Sequence, residues 1–486
     1  MATETAQDSG VLSKVDTYFK ISARGSTFGQ EIRGGLTTFF TMAYIIVLNA
    51  FILVGAATVA ADVHGTALIG GAADPGQAIA LVSAATALVA GVLTILMGTI
   101  ARFPLALAAG LGLNAFVGYG LVVGAGLTWP QAMGFVVIEG VVILILVLTK
   151  FRQKMLFAVP MALKKAIAVG IGLFIAFIGL VNSGIVTAGA GTITTFGVEG
   201  SITTWPMVVF IVGLITAIIL LARKVKGALL ISIIAASIVA FIIERIAPQD
   251  SWHLLPPRVD GGVVAAPDFS LLGQVSIFGG FGQIAVLTAV VLIFSLLVVD
   301  FFDTIGTMTA VGEEAGLNDE DGIPEGSQQI LIVDSVGAIV GGVASTSSNT
   351  AYIESASGVG DGARTGFASV VTGVAFLLAT FLTPLYALIP SEAAAPVLVV
   401  VGFLMVAFVA DIDWKNPAIA IPAFLTFVVM PFGFSIAAGI GVGFIAFVIL
   451  HAATGKIKDI KPLMWVAAAA FLLYFSLEPL RDVFGI

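Results

Sequence analysis

Apolar segments long enough to cross a lipid bilayer recur along almost the whole chain. A spanning helix needs about 20 mostly apolar residues, and its backbone polar groups must be satisfied within the protein. This succession predicts an all-α polytopic membrane protein. We count fourteen segments, at residues 34–55, 78–100, 104–120, 129–150, 158–182, 204–222, 227–246, 283–307, 328–343, 346–360, 364–389, 394–410, 417–431 and 432–451.

The composition excludes several classes of function. Of the 486 residues, 59% are apolar and only 10% are charged, whereas soluble domains carry about 25% charged residues. The net charge of −8 argues against a nucleic-acid partner, which would require a basic surface. The chain has no Cys, and its three His residues are far apart and outside any HExxH pattern. We therefore expect no metal site, no cofactor and no catalytic site.

The positive charges predict the orientation of the segments. If the N-terminus is cytoplasmic, eighteen of the 21 Lys and Arg residues fall in cytoplasmic loops, where positive charges concentrate in membrane proteins. Arg245 and Arg258 fall outside, and Arg481 lies in the C-terminal tail. Residues 1–33 are polar and lack a signal-peptide pattern. We predict a multi-pass protein of the cytoplasmic membrane with a cytosolic N-terminal tail.

The two halves of the chain resemble each other. Residues 160–182 and 390–412 share an opening Pro, an apolar run and their length, and the third segment of each half is short or rich in small and polar residues (103–120 and 344–360). Seven crossings per half is an odd number, so we predict two inverted seven-helix repeats with half-helices in segments 3 and 10. Interrupted segments at matching positions of inverted repeats indicate a transporter's binding site. The alternative is that they are ordinary loops between shorter helices.

Acidic side chains within apolar segments are costly in lipid and are therefore candidates for function. Asp300 and Asp303 are three residues apart in LLVVDFFDTIGTMT and share one helix face with Thr304 and Thr307. Glu354 lies in the polar stretch TSSNTAYIES. A hydrogen bond to a neighbouring helix is the alternative role for Asp300.

Two further acids have simpler structural interpretations. Glu139 stands alone among apolar neighbours in VVIEGVV, and a structural role is the simpler reading of it. Asp334 lies near the start of a predicted helix, where a carboxylate is commonly stabilised.

The polar run at 344–350 predicts the geometry of the site. Its Ser, Thr and Asn residues can cap a half-helix starting near Thr350, whose free N–H groups would face a cavity beside Glu354. Small residues would let an opposing half-helix that carries Asn114 approach closely. Such a site suits a flat, neutral, hydrogen-bonding ligand. The candidates for a stacking face are Phe116, Phe301, Phe302 and Tyr352.

The chain resembles the AzgA-like branch of the nucleobase:cation symporters, which comprises hypoxanthine/guanine and adenine permeases. The resemblance covers about Phe19 to Lys461 and rests on several long motifs in the same order. These are RGGLTTFFTMAYIIVLN (33–49), GLGLNAFVGYGLV (110–122), DFFDTIGTMTAV (300–311), TAYIESASGVGDGARTG (350–366) and DIDW (411–414).

The resemblance implies fourteen helices in two inverted repeats, and a core domain of helices 1–4 and 8–11 that moves against a gate domain of helices 5–7 and 12–14. On this chain, the implied parts are a cytosolic tail at 1–33, core-domain parts at 34–150 and 283–390, gate-domain parts at 151–246 and 391–451, and an extracellular connection at 247–282. Residues 452–486 form a C-terminal segment whose apolar block at 462–478 is interfacial or makes an extra crossing.

The resemblance also implies purine uptake driven by the proton gradient, without a cofactor. By motif, Asp303 matches the acid of helix 8, Glu354 the acid of helix 10 and Asn114 the polar residue of helix 3. The predicted substrate contacts are Asp303, Glu354, Asn114, Tyr352, Thr350 and Phe301, and the predicted proton-coupling residues are Asp303, Glu354 and Asp300.

The hydrogen-bonding pattern bears on the choice of purine. An ionised Glu354 accepts hydrogen bonds only and would match the paired N–H donors of guanine, whereas adenine offers a donor beside an acceptor. The motifs and this donor pattern together favour hypoxanthine or guanine, with adenine as the second candidate. The alternative function is transport of an anion or another small solute by the same inverted-repeat fold. A homodimer in the bilayer is a further expectation.

Overall fold

The computed structural model of this chain describes residues 11–149, 159–189, 191–197, 203–248, 251–254, 256–257, 262–320, 322–386 and 388–484. Helices dominate these ranges, together with four strands of two or three residues. Four residues used in the topology prediction lie outside the described residues: Lys150, Arg152, Lys154 and Arg258.

The first half contains the helices α1 (Val11–Phe19), α2 (Phe28–Met42), α3 (Tyr44–His64), α4 (Pro75–Leu96), α5 (Leu111–Ala115), α6 (Trp129–Leu148), α7 (Met161–Asn182), α8 (Trp205–Ala222) and α9 (Ala228–Ile246). Strand β1 (Leu107–Ala109) precedes α5, and a π-helical stretch (Phe116–Gly124) continues it. After α7, strand β2 (Val186–Thr187) pairs with β3 (Thr195–Phe196).

The second half contains the helices α10 (Gly280–Gln283), α11 (Val286–Ala315), α12 (Ser327–Val343), α13 (Ser355–Gly360), α14 (Gly366–Ala379), α15 (Thr383–Tyr386), α16 (Ser391–Val406), α17 (Pro417–Phe432), α18 (Ile436–Ala453) and α19 (Pro462–Phe484). Strand β4 (Asn349–Ala351) precedes the short helix α13.

Local capping chemistry sets several of the helix starts. Asp74 Oδ1 accepts a hydrogen bond from Gln77 N at 3.0 Å, and Pro75 occupies the first position of α4, where its missing N–H has no cost. Ser435 caps α18 in the same way, through a 3.2 Å bond from Ala438 N to Ser435 Oγ. These starts lie within a few residues of the predicted segment boundaries.

Ten helical stretches in the described residues are long and apolar enough to cross a membrane, the first being α2 and α3 joined through Ala43. Shorter apolar helices occupy Leu111–Gly124, Ser327–Val343, Pro417–Phe432 and Pro462–Ser476. Segment 10 instead contains β4 and the six-residue α13. The chain is therefore a multi-pass membrane protein, and the count of fourteen crossings stays a prediction.

Helix packing repeats between the two halves, as an inverted repeat requires. Helix α4 packs on α14 as α12 packs on α6, and α8 packs on α9 as α17 packs on α18. The contact of α8 with α16 likewise has its counterpart in the contact of α17 with α7. In each case, replacing every helix of one contact by the helix at the same position in the other half gives the second contact.

The contact between α7 and α16 is its own counterpart under this exchange, and glycines make it close. A Cβ atom on Gly172 would lie 2.7 Å from the carbonyl oxygen of Gly402 and 2.7 Å from Cβ of Met405. Small residues at such a crossing let two membrane helices approach until their backbones touch. The repeat axis of the bundle therefore passes near this glycine contact.

The last helix, α19, runs back along α18. Phe471 is fully buried and its ring lies 6.0 Å from that of Phe444, whereas Gly441, nearly one turn before Phe444, contacts Phe471 and Phe475. Because Phe471 meets Phe444 and Phe475 meets the earlier Gly441, α19 runs antiparallel to α18. The apolar block at 462–478 thus packs lengthwise on a membrane helix.

Candidate functional site

Two extended segments cross at the centre of the molecule. Strands β1 and β4 pair antiparallel, with Ala108 opposite Thr350. The pairing continues beyond both strands, through bonds from Gly110 N to Ser348 O (3.0 Å) and from Tyr352 N to Ala106 O (2.9 Å). Each segment thereby satisfies the backbone polar groups of the other, which makes extended chain tolerable at membrane depth.

This pairing corrects the predicted start of the second half-helix. Residues Asn349–Ala351 are extended, and the helix begins at Ser355 rather than near Thr350. The backbone N–H groups expected to face a cavity are used within the protein instead: that of Tyr352 bonds to Ala106 O beside β1, and that of Ala351 bonds to Asp334. Glu354 consequently stands at the residue before α13, not one turn inside a helix.

The structure brings Asp303 and Glu354 together. Asp303, on α11, lies within electrostatic range of Glu354, and α11 packs on α13. The side chain of Asp303 is accessible even though many protein atoms lie nearby. The side chain of Glu354 is half-buried. No atom approaches within 4 Å of the position of a Cβ on Gly306, one turn further along α11. The two side chains are therefore neighbours that protein does not fully enclose, and we call this region, where α11 meets the start of α13, the opening.

Tyr44 is a site residue that the sequence reasoning missed. Its hydroxyl donates to Glu354 Oε1 at 2.5 Å, and its side chain is fully buried. Tyr44 lies at the junction of α2 and α3, where the backbone N–H of Ala43 still bonds to Phe39 O. The available signal was a lone phenol within the apolar motif TMAYIIVLN, but nothing local connects that phenol to a glutamate 310 residues away.

Tyr352 and Thr350 hold the crossing strands in place. The Tyr352 hydroxyl donates to the carbonyl oxygen of Ala109 at 2.6 Å, which ties β4 to β1. Thr350 Oγ1 lies 2.7 Å from Thr304 Oγ1 on α11. Both Tyr352 and Thr350 are buried, so their predicted role as substrate contacts stays a prediction, whereas their structural contacts are direct.

Asp334 is a second residue whose importance the sequence did not reveal. Its Oδ2 accepts from Thr304 Oγ1 at 2.8 Å, and its Oδ1 accepts from the backbone N–H of Ala351 at 3.2 Å. Asp334 lies in the middle of α12 rather than at its start. The carboxylate therefore links α12 to both α11 and β4.

Two other predicted site residues, Phe301 and Asn114, are buried, and their role as substrate contacts stays a prediction. Phe301 is 1% exposed and packs edge-on against Phe302 within an apolar cluster. Phe302 is the half-buried ring, and the ammonium of Lys164 on α7 lies 4.5 Å from its centroid. Asn114 is fully buried, and neither polar atom of its amide has a hydrogen-bond partner among the described residues.

Asp300, the third predicted coupling residue, is fully buried one turn before Asp303. Its Oδ2 accepts from Ser348 Oγ at 2.9 Å, so the carboxyl contacts the chain just before β4. Its Oδ1 has no hydrogen-bond partner among the described residues. The structure thus separates Asp300, in the interior, from Asp303, in the opening.

Asp361, after α13, has a different electrostatic environment. Its carboxylate forms an ion pair with Lys226 and accepts from Thr37 Oγ1 at 2.6 Å. These contacts lower the pKa of Asp361, so its ion pair persists at neutral pH and is lost only as the pH falls through that lowered value. Asp361 therefore stays ionised near neutrality and does not carry a proton there.

The described residues contain no group of three or more His, Cys, Asp or Glu side chains arranged to hold a metal ion. Among the acids of the site, Glu354 accepts from the Tyr44 hydroxyl, Asp300 from the Ser348 hydroxyl, and Asp334 from the Thr304 hydroxyl and a backbone N–H. Carboxyl groups in this arrangement can accept hydrogen bonds when ionised and donate one when protonated.

Comparison with known sequences adds independent information. Residues 29–440 match a family described as the Permease family. The guanine/hypoxanthine permease PbuG of Bacillus subtilis is 40% identical over 460 residues, which cover 94% of this chain and 99% of that protein. The adenine permease AdeP of Escherichia coli is 36% identical over 472 residues, which cover 97% of this chain and 97% of that protein. The nucleobase transporter PlAzg2 of Paenibacillus larvae is 30% identical and covers 87% of this chain.

Solved structures share the architecture. The transmembrane domain of the cyanobacterial bicarbonate transporter BicA matches with a TM-score of 0.57 and 15% identity, covering 84% of this chain and 97% of that one. The murine anion transporter Slc26a9 in its inward-facing state matches with a TM-score of 0.60 and 13% identity, covering 94% of this chain and 74% of that one. At these identities the likeness shows the fold alone, which is that of inverted-repeat transporters.

Proposed function

Because the chain belongs to the Permease family, we propose that it takes up purine nucleobases across the cytoplasmic membrane by alternating access, coupled to protons. The observation that carries this proposal is the pair Asp303 and Glu354, two incompletely enclosed acids that lie within electrostatic range of each other beside the crossing strands. The chain aligns with nearly the full length of PbuG, a guanine/hypoxanthine permease, and of AdeP, an adenine permease, which supports the substrate class.

Glu354 is the proposed anchor for the purine. Tyr44 occupies its Oε1, so a purine N–H would take Oε2. An ionised carboxylate accepts hydrogen bonds only, which suits the adjacent N–H donors of guanine better than the donor–acceptor edge of adenine. We therefore favour guanine and hypoxanthine, with adenine as the second candidate.

The proposed movement is that of a core domain (34–150 and 283–390) against a gate domain (151–246 and 391–451). Asp303 and Glu354 both belong to the core part, whereas Lys164, which lies over Phe302, belongs to the gate part. Such a contact between the two parts would break and reform as the site changes its exposure. The N-terminus is proposed to be cytoplasmic, and a homodimer is proposed in the bilayer.

Uptake of radiolabelled guanine, hypoxanthine, adenine and uracil by purine-transport-deficient cells tests this function. We expect saturable accumulation of guanine and hypoxanthine that an uncoupler abolishes, and at least a tenfold lower rate in Asp303→Asn and Glu354→Gln variants. Uptake of labelled bicarbonate, together with no uptake of any purine, would instead support an anion transporter of this fold. Normal uptake by Glu354→Gln with an unchanged pH dependence would contradict the assigned role of Glu354.

A further inference from the structure

Glu139 is a buried acid that the proposed mechanism does not use. It lies in the middle of α6, is fully buried, and neither carboxyl oxygen accepts a hydrogen bond from a donor among the described residues. A buried carboxylate without donors is costly in free energy, because it loses its hydration and gains nothing in return. Burying Glu139 among apolar residues therefore costs free energy that packing does not recover, so the presence of an acid at this position requires another explanation.

The carboxyl of Asp300 lies within hydrogen-bonding reach of that of Glu139. Ser348 Oγ lies near both groups, but its single proton is donated to Asp300 Oδ2 at 2.9 Å. Thr350 Oγ1 also lies near Asp300, but its proton is donated to Thr304 Oγ1, whose own proton goes to Asp334. Asp300 Oδ1 is therefore left without a partner, as are both oxygens of Glu139. Two ionised carboxylates only accept hydrogen bonds, so these oxygens can satisfy each other only if a proton lies between them.

The surroundings of Glu139 supply no other solution. The charged groups that act on it are Asp300 on α11 and Asp334 on α12, both acidic, and Asp303 lies beyond Asp300. Asp334 is already satisfied by Thr304 Oγ1 and the backbone N–H of Ala351. The described residues also form no cluster suited to a metal ion.

We propose that Glu139 and Asp300 form a proton-binding site, separate from the opening lined by Asp303 and Glu354, and that Glu139 holds the proton carried with the purine. The inference rests on the proposed function and adds to it a residue of helix α6. One proton enters and the same proton leaves, and no other bond is made or broken.

The connection to the substrate site runs through β4. Asp300 holds Ser348, immediately before β4, and Thr350 within β4 contacts Thr304, whose hydroxyl donates to Asp334. Loss of the shared proton leaves two adjacent carboxylates, and their repulsion acts directly on the Ser348 end of the strand. Glu354 lies three residues after β4. A change in the protonation of the Glu139–Asp300 pair is therefore transmitted along β4 to Glu354, the proposed purine anchor.

Glu139→Gln in the full-length chain tests the proposal, because the Gln amide donates to Asp300 permanently and mimics the protonated pair. We expect the pH dependence of purine uptake to flatten and the accumulation ratio to fall at least tenfold, while exchange of labelled for unlabelled purine continues. The matched control is Glu31→Gln. Glu31 is equally buried, but its carboxylate oxygens accept hydrogen bonds from Arg364 N, Thr365 Oγ1 and Ala368 N. The pH dependence of purine uptake by Glu31→Gln should therefore not change.

A second measurement separates this inference from the transport function. Infrared difference spectra of the purified protein during a pH titration should show a protonated carboxyl band that is absent in Glu139→Gln and present in Glu31→Gln, whether or not purine is transported. If Glu139→Gln does not fold, Glu139→Asp, which shortens the side chain, should shift the pH midpoint of uptake. An unchanged pH profile and carboxyl band in Glu139→Gln, or an unchanged midpoint in Glu139→Asp, would overturn the proposal.

Discussion

At the scale of single residues, the donors around a buried acid separate structural from functional roles. Glu31 accepts three hydrogen bonds at the start of α14, and Glu392 accepts from the backbone N–H of His253 and from Ser391 Oγ. These acids are satisfied and join distant parts of the chain. Asp303, in contrast, is exposed within the protein, and Glu139 lacks donors. Acids left incompletely satisfied are the ones available to a substrate or a proton.

The hydrogen bond from Tyr44 to Glu354 leads to a prediction for purine affinity. In Tyr44→Phe the carboxyl loses a 2.5 Å donor that orients it, and a hydrogen bond to a charged group contributes about 1.5–3 kcal/mol. We expect the KM for purine uptake to rise about tenfold, which corresponds to about 1.4 kcal/mol.

Tyr386→Phe is the control for this prediction. Its hydroxyl donates to the backbone oxygen of Ala379 at 2.8 Å, and no contact links it to Glu354. The control should leave KM within about twofold of its original value, and equal KM values in both variants would show that Tyr44 does not orient the anchor.

At the scale of elements, the polar run before β4 adopts an unusual backbone. Ser345 and Ser347 have backbone φ angles of 59° and 72°. These lie in the left-handed region that residues other than Gly and Asn seldom adopt. Ser345 Oγ donates to the backbone oxygen of Gln274, and the turn is fully buried. Tertiary contacts and pairing with β1 therefore impose this conformation, which strand or helix propensity alone would not select.

The glycine contact between α7 and α16 predicts a loss of stability on substitution. Gly172→Val would place atoms against the carbonyl oxygen of Gly402 and force the two helices apart. Overpacking of this kind costs about 1–3 kcal/mol, so the purified variant should unfold at a lower temperature than the original chain.

Gly29→Ala provides the matched control in thermal unfolding. Gly29 lies in α2, has no neighbouring atom within 4 Å of a new Cβ, and should tolerate Ala with a gain of up to about 1 kcal/mol. Equal melting temperatures for Gly172→Val and the original chain would mean that α7 and α16 have room to separate.

At the scale of the whole molecule, the backbone is symmetric and the chemistry is not. Ala108 faces Thr350 at the middle of the strand pair, and the residues four positions further along the two segments are Gly112 and Glu354. A Cβ on Gly112 would lie 2.8 Å from Cγ2 of Ile171, so this position favours a residue without a side chain. The first half-helix supplies close packing, whereas the second supplies the acid, and the substrate is therefore expected to bind mainly to the second repeat.

The course of α19 predicts the topology of the C-terminus. Because α19 runs antiparallel to α18, a Cys at Asp482 should react with a membrane-impermeant reagent added outside intact cells, and a Cys at Lys458 should not. The chain has no native Cys, so single-Cys variants give an unambiguous signal. Ala266→Cys, in the connection proposed to be extracellular, is the positive control. Protection of Asp482→Cys together with reactivity of Ala266→Cys would place α19 on the cytoplasmic side.

The amino-acid sequence by itself determined the membrane location, the positions of most helices and the acids at depth. These features are local: a segment of apolar residues must be helical in lipid, and a carboxyl group within it is evident from the sequence alone. The inverted repeat also followed, since an odd number of segments per half reverses the orientation of the second half. Asp303 and Glu354 were identified in this way, and the structure places them within electrostatic range of each other.

Tertiary structure alone decided which side chains meet. A helix that is apolar on all sides carries no periodic signal for the direction of its buried face, so Phe301 could not be distinguished from Phe302. The partners of Tyr44, Asp334 and Glu139 lie on other segments of the chain, and local sequence does not encode such distances. The pairing of β1 with β4, which satisfies two interrupted segments at once, depends on both halves folding together.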